Sequence, residues 1–557
     1  MSKRESSGDD YGEIAAEDSP ELDQFGGYVF DKLLIIRLVL ASLLFAAALI
    51  LKLSPLLTAI LLILSAAAAG YDIVASAVND VSARNFFGAP MIVTFTAVLA
   101  FAIGFGTEGA ALVILYRIGL LLIDYTSVRT RKSAMDFIQE DDADILTHVS
   151  LLFANKETGR TALENKVRGY LELFTKLLLA VGVLYAIVLP LISDYTYAVS
   201  IHRGLTLMVI ATPLSVLSSL PLADIVGIGF SAGNGVVYNN SVSFDDTSEI
   251  STVVFDKDGV FSNGQPKVVS VKSDKLDPNV FLKIAAHIAY KSKNPLARGV
   301  AASYDGEIIP GVDDDFVEIP GLGAEIKING ISLCLGKAHF ITSMGTDIPE
   351  DDMHEGSALY MSVANRYVGY LTLAEEINPD AADIVADITS AGADSCILLT
   401  GDSSEESARL AKSLGISEYF AECDRDKKLS AVDSCRKSVH NGRMMYVYSE
   451  PIDCHSPADI DASVGTNSVN SDMFLTENGI SWLSGAITAS RRSKTVALEN
   501  VAGTMIIKAL IIALTLTGFC NLWFAVFLDM AAALGAILNT IRVSMPPLFT
   551  LVKKQKR

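Results

Sequence analysis

The run Val253-Val254-Phe255-Asp256-Lys257-Asp258-Gly259-Val260-Phe261 sets a carboxylate directly after a short apolar stretch and just before a turn glycine. Open α/β sheets bind ligands at the carboxyl ends of their strands, so an acid seated there is a candidate aspartyl nucleophile, and Asp256 is the residue so placed. A strand ending in an ordinary Asx turn is the plainer reading of the same residues. Downstream, Leu399-Thr400-Gly401-Asp402 offers a hydroxyl and backbone N–H groups of the kind that hold a transferring phosphoryl group, and Lys428 is available to neutralise its charge. Three such features in one stretch point to phosphoryl transfer.

These residues need a scaffold. A chain of 557 residues exceeds what one core usually holds, so two or more folding units are expected. Half of it is hydrophobic and 19% is charged, which excludes a disordered chain and argues for substantial burial in lipid. The net charge of −20 excludes a nucleic-acid partner, because phosphate backbones are gripped by clustered Lys and Arg. The cysteines, Cys334, Cys396, Cys423, Cys435, Cys454 and Cys520, form no CxxC pair, so neither a disulfide framework nor a thiolate cage is written here.

The first 24 residues hold eight acids and two bases and read as a solvated tail. Apolar runs follow at roughly 31–52, 55–77, 90–106, 109–125, 172–193, 204–231, 501–520 and 522–545, which predict about eight membrane spans. Arg129, Arg131, Lys132, Lys156, Arg160, Lys166 and Arg168 crowd one interhelical segment, and Lys553, Lys554, Lys556 and Arg557 close the chain. Basic loops stay inside, so the expectation is a multi-pass protein of a plasma-type membrane with both termini cytoplasmic and lipid as its surroundings. Between the sixth and seventh runs lies a soluble stretch. Ser251–Phe255 and Cys396–Leu399 read there as buried strands and Ser404–Leu414 as a helix, which is parallel α/β grammar. Turn-rich, alternating segments such as Ala324–Leu335 break that grammar and predict an inserted second domain.

Taken together, the motifs resemble those of the P-type cation-transporting ATPases, most closely the heavy-metal, zinc- and cadmium-like branch. Asp256-Lys257-x-Gly259 is similar to the family's DKTGT phosphorylation motif, Thr400-Gly401-Asp402 to its TGD, and Asp424 to Lys428 to the loop ending in its lysine. Ser292-Lys293-Asn294-Pro295-Leu296-Ala297 resembles SxHPLA, and Gly321-Leu322-Gly323 the nucleotide-binding GxG. The resemblance implies an α-helical membrane domain plus a cytoplasmic α/β haloacid-dehalogenase-like phosphorylation domain with an inserted α+β nucleotide-binding domain. Its cofactors would be ATP, near Asn294, Pro295, Gly321 and Gly323, and Mg²⁺, near Asp256 and Asp258. The implied domains are an acidic tail (1–27), membrane helices (28–125, 172–232 and 501–546), a phosphorylation domain (233–267 and 367–500), a nucleotide-binding insert (268–366) and a basic tail (547–557). Ala211-Thr212-Pro213-Leu214 takes the place of the family's metal motif, and Pro213 should break its helix and free carbonyls. Thr212, Pro213, Lys508 and Asp529 thus form the implied transport site for a divalent transition-metal cation. An interhelical Lys508–Asp529 pair that only holds the hairpin is the bland alternative. Glu108 also matches a family acid, read more simply as a solvated loop residue.

The departures carry information too. The family's actuator domain with its TGE loop belongs between the fourth and fifth runs. Here that interval, 126–171, has 46 residues and no TGE, so a short cytoplasmic segment is expected in its place. Thr212 and Leu214 stand where soft thiolate ligands would select zinc or copper. Asn294 replaces the adenine-site histidine. The Mg²⁺ motif GDGxND has become Ser449-Glu450-Pro451-Ile452-Asp453, so either Glu450 or Asp453 would have to supply the lost ligand. Asp258 replaces the family's threonine and makes a DxD pattern similar to that of haloacid-dehalogenase-type phosphatases, whose second aspartate works as general acid and base. Three roles follow from this reading: a metal pump impaired in autonomous transport, a regulatory subunit that binds nucleotide and serves a partner membrane protein, or a membrane-tethered aspartyl-phosphate phosphatase.

Overall fold

The computed structural model describes residues 32–544, apart from short segments at 52, 84–86, 139–142, 155–160, 193–194, 293, 309–314, 320–321, 329, 354–357, 450–455, 466–470 and 477–478. The chain divides into two compact units, residues 1–248 with 488–557, and residues 249–487.

In the first unit the apolar runs are helices: α1 (Lys32–Ile50), α2 (Pro55–Ser82), α3 (Ala89–Ala102), α4 (Gly106–Met135), α5 (Ala143–Ala154), α6 (Ala162–Ile192), α7 (Tyr197–Ile210), α8 (Leu214–Leu217) and α9 (Leu220–Ala232). A short strand β1 (Val236–Tyr238) and helix α10 (Ser241–Thr247) follow. Among the described residues, seven helical segments are long and apolar enough to cross a membrane, counting α7 to α9 as one. The remaining predicted span, α3, has 14 residues, short of the roughly 20 that a bilayer crossing takes. It starts at Gly88-Ala89-Pro90 and ends at Gly104, whose φ of +90° turns the chain into α4. The interval 126–171 holds the end of α4, the 12-residue α5 and the start of α6, with no strand among the described residues. Helices α6 and α7 meet where a Cβ on Gly182 would stand 2.9 Å from Gly204 O and one on Gly204 2.6 Å from Gly182 O. Small residues let backbones close up in lipid, where apolar side chains alone give little drive to associate.

The second unit is a parallel sheet with an insert. Its strands are β2 (Ile250–Asp256), β9 (Ser395–Leu399), β10 (Glu418–Phe420), β11 (Arg443–Tyr448), β12 (Ile460–Val464) and β13 (Met473–Leu475), in the order β13-β12-β11-β2-β9-β10. Every residue of β2 is buried, as a central parallel strand covered on both faces requires. Helices α14 (Ala381–Ser390), α15 (Ser404–Leu414) and α16 (Arg425–Ser438) connect the strands. After β2 the chain enters an antiparallel sheet of β3 (Ser262–Lys272), β4 (Asp315–Ile319), β5 (Gly323–Ile328), β6 (Ile331–Gly336), β7 (Ala358–Val363) and β8 (Arg366–Ile377), in the order β3-β8-β7-β6-β5-β4. Helices α11 (Pro278–Ala289) and α12 (Pro295–Ala302) lay Phe281, Ile288 and Val300 onto its core, and α13 (Ala338–Ser343) lies beyond β6. The insert's sheet therefore begins at Ser262 and ends at Ile377, because β3 and β8 pair along their length from Ser262↔Ile377 to Lys272↔Tyr370.

The chain closes with α17 (Leu483–Thr517) and α18 (Leu522–Thr540). Helix α17 starts 18 residues before the apolar run at 501, with the polar Ser490–Lys494 turns ahead of the lipid-type sequence.

Candidate functional site

Asp256 ends β2, between the ends of β9 and β11, at the carboxyl edge of the parallel sheet. The residue is 4% exposed. Lys428, in the first turn of α16, donates from Nζ to Asp256 Oδ1 at 2.7 Å, to Asp256 Oδ2 at 2.9 Å and to Asp258 Oδ2 at 3.0 Å. One ammonium thus bridges both carboxylates of the DxD pattern. Helix α16 is fixed for this by its N-cap, where Asp424 accepts from the Lys427 N–H at 2.9 Å.

The Thr400-Gly401-Asp402 turn leaves β9 beside the same edge. Leu399 O accepts from the Lys257 N–H at 2.9 Å, and Asp402 Oδ2 accepts from Lys257 Nζ at 2.7 Å. Glu375, at the end of β8, stands 3.6 Å from the same ammonium and accepts from Ser262 Oγ at 2.5 Å. Gly259 has φ +72°, and a Cβ there would lie 2.5 Å from Ser449, so the turn after Asp256 takes only glycine.

Burial is the largest influence on Asp256 and holds its carboxyl above the usual range, with the Lys428 ammonium pulling the other way. Burial opposes the charge on Lys428, but Asp256 and Asp258 together hold its ammonium above the ordinary lysine value. Lys257 is raised in the same manner by Asp402, Glu375 and Asp258. The oxygens of Asp256 and Asp258 converge on the Lys428 nitrogen; carboxylate oxygens are the donors Mg²⁺ takes, but among the described residues no third acid joins these two, and the ammonium holds the point they share. Glu450 and Asp453 lie outside the described residues. Sequence reading missed Tyr446 on β11, whose hydroxyl is 3.5 Å from Asp256 Oδ2; the strand's period-two alternation puts it on the face shared with Asp256.

In the insert, Asn294 caps α12, its Oδ1 accepting from the Leu296 N–H at 2.9 Å. It lines a cleft with Ser292, Glu318, Leu322, Gly323 and Lys337, in which Ser292 Oγ donates to Glu318 Oε1. Pro295 opens α12, and Gly321 lies outside the described residues. Gly323 faces Gly336 across β5 and β6, where a Cβ would strike Phe340 at 2.4 Å, so close packing accounts for this glycine.

The membrane unit holds the other constellation. Pro213 interrupts the helix between α7 and α8 and leaves three successive carbonyls without helical partners. Each is met by a side chain: Lys508 Nζ donates to Ile210 O at 2.9 Å and Thr212 O at 3.0 Å, and Thr175 Oγ1 donates to Ala211 O at 2.7 Å. The third Lys508 donor reaches Asp529 Oδ1 at 2.7 Å, which also accepts from Ser215 Oγ at 2.9 Å. Thr212 enters through its carbonyl; its own hydroxyl donates to Val209 O at 3.0 Å. Lys508 and Asp529 are 1% and 3% exposed, and the ammonium's three hydrogens are all used. Glu108 is not a free loop acid: it sits in the first turn of α4 and pairs with His202 of α7.

One unit is a parallel α/β sheet with an aspartate at its central strand and an antiparallel insert after that strand, and the other is a set of helices of membrane-spanning length. Residues 250–441 match the family model of haloacid dehalogenase-like hydrolases. The chain is 27% identical over 403 residues to a cadmium, zinc and cobalt-transporting ATPase of Bacillus subtilis, covering 70% of this chain and 57% of that protein. It is also 27% identical over 431 residues to a zinc-transporting ATPase of Synechocystis, covering 76% and 59%. The chain therefore spans under 60% of the length of these relatives. A zinc-transporting PIB-type ATPase in its E2·Pi state superimposes with a TM-score of 0.65 at 18% identity, over 92% of this chain and all of that one. The chain is a homologue of the heavy-metal-transporting P-type ATPases and shares their fold.

Two outcomes follow from the charged centres. Lys428→Met leaves a buried carboxylate uncompensated and should lower the thermal midpoint at pH 8 by the equivalent of about 3 kcal/mol. Without the ammonium the Asp256 carboxyl rises further, so protonation removes the unpaired charge and the deficit shrinks as pH falls toward 5; thermal scans across that range in detergent measure it. In the membrane, Lys508→Met and Asp529→Leu should each destabilise more than the double variant, read as a non-additive cycle of thermal midpoints.

Proposed function

We propose that this protein is a heavy-metal P-type ATPase-like membrane protein whose second unit takes a phosphoryl group from ATP onto Asp256, and that it does not drive cation transport by itself. The observation that carries the first part is the Lys428 ammonium held on Asp256 and Asp258 beside the Thr400-Gly401-Asp402 turn. An Asp256 oxygen attacks the γ-phosphorus, the bond to the β–γ bridging oxygen breaks, and ADP leaves with that electron pair. Lys428 and the backbone N–H of Gly401 stabilise the equatorial charge, while the Asp402 N–H, donating to Thr400 Oγ1 at 3.1 Å, and Lys257, paired to Asp402, fix the turn. Bound Mg²⁺, held by Asp256 and Asp258 with Glu450 or Asp453, would add electrostatic neutralisation of the phosphoryl oxygens. The cleft of Ser292, Asn294, Glu318, Gly323 and Lys337 is the proposed nucleotide seat, with Pro295 opening the helix that Asn294 caps.

The second part rests on the membrane centre and on 126–171. A divalent cation of the cadmium, zinc and cobalt type named for the relatives would meet carbonyls and a carboxylate already engaged by Lys508, with no thiolate offered by Thr212 or Leu214. The helical interval 126–171 stands in place of an actuator. A plasma-type membrane, cytoplasmic termini and a partner membrane protein that this chain regulates complete the proposal.

A second reading is favoured by Asp258. Its carboxylate shares Lys428 with the nucleophile, and its N–H lies 3.3 Å from Asp256 Oδ1, so it is placed to take a proton from water attacking an aspartyl phosphate.

Incubation of the purified chain with radiolabelled ATP and Mg²⁺ should yield an acid-stable, hydroxylamine-sensitive phosphoprotein that Asp256→Asn abolishes. Its absence in the wild type, under conditions where Asp258→Thr also accumulates none, would sink the acceptor role. Release of phosphate that Asp258→Thr slows marks the phosphatase reading.

A further inference from the structure

The two oxygens of Asp256 stand in different surroundings. Oδ1 faces the Asp258 N–H and the Lys428 ammonium, on the side open to Asp258. Oδ2 shares Lys428 at 2.9 Å and turns inward to the Tyr446 hydroxyl at 3.5 Å. Tyr446 is 2% exposed, pairs in register with Val254, and sends its ring along the face on which Asp256 follows two residues later. Tyr448 braces it, with ring centroids 5.1 Å apart. The hydroxyl is set to donate to Asp256 Oδ2, the polar atom nearest to it. A buried tyrosine whose one polar atom points at the nucleophile is poorly explained by packing, since phenylalanine would fill the same space without a hydroxyl to satisfy.

We infer that Tyr446 is a further catalytic residue, whose hydroxyl donates to Asp256 Oδ2 and stabilises the carboxylate as it leaves the phosphorus. This rests on the acceptor reading of Asp256. With the phosphoryl group on Oδ1, water attacks phosphorus, the P–Oδ1 bond breaks, and its electron pair returns to the carboxylate. The products are inorganic phosphate and the free Asp256 carboxylate, and the water's proton passes to solvent, directly or through Asp258. Negative charge grows on both carboxylate oxygens as the bond breaks, and only then does the 3.5 Å contact shorten into a strong hydrogen bond. Tyr446 thereby gives this chain its own means of discharging the aspartyl phosphate.

The test is a chase on the full-length protein in detergent. Wild type, Tyr446→Phe and Asp256→Asn are labelled with radioactive ATP and Mg²⁺, chased with unlabelled ATP, and quenched in acid over time. Tyr446→Phe should take up at least as much label as wild type, uptake itself reporting that the fold is kept, and hold it on the order of tenfold longer. A lifetime equal to wild type, or a variant that takes up no label when wild type does, overturns the inference while leaving Asp256 as acceptor. Label that appears in neither protein removes the acceptor role and the inference with it.

Discussion

A single ammonium holding two carboxylates at the end of a buried strand is the constraint on which the catalytic unit depends. Asp256 is 4% exposed, and an unpaired carboxylate at that depth would cost several kcal/mol or protonate. Lys428 prevents both outcomes by reaching Asp256 and Asp258 within 3.0 Å. For it to do so, α16 must begin at a fixed place, which the Asp424 cap supplies, and β2 must lie between β9 and β11. The tight turn at Gly259 and the Lys257–Asp402 pair then follow from the crowding of three strand ends around one charge.

The membrane unit meets the same problem with the same kind of group. Breaking a helix at Pro213 frees three carbonyls inside a span, which lipid cannot solvate. Lys508 and Thr175 satisfy them, and Asp529 balances the lysine. Lys508 and Asp529 pair between α17 and α18, and the same ammonium reaches the carbonyls of Ile210 and Thr212. Selection of a soft metal would call for thiolates that Thr212 and Leu214 do not provide.

Much of the fold was legible from local pattern. Helix Ser404–Leu414 falls on the residues the sequence indicates because Ser403 caps it and Gly415 ends it at φ +73°. Ser251–Phe255, with its Val253-Val254-Phe255 run, reads as a strand and lies buried on both faces. The apolar runs are helices for the equally local reason of side-chain hydropathy. Less legible were the extent of α17 ahead of its apolar run and the shortness of α3, since each depends on what packs around the helix ends. The part of the insert's sheet formed by Ser262 to Lys272 and Arg366 to Ile377 was unseen because its strands pair over 100 residues of sequence.

Residue type and spacing by themselves determined that Asp256, Thr400-Gly401-Asp402 and Lys428 belong to one chemistry, because nucleophile, turn and counter-charge are local chemical facts. Tertiary structure decided how they meet: that Lys428 is shared with Asp258, that Glu375 and Asp402 bracket Lys257, and that Tyr446 aims at Oδ2. It also decided that Lys508 caps the carbonyls freed by Pro213 from 296 and 298 residues away. Hydrogen bonds are made between atoms within about 3 Å, and only the folded chain brings distant residues to that range.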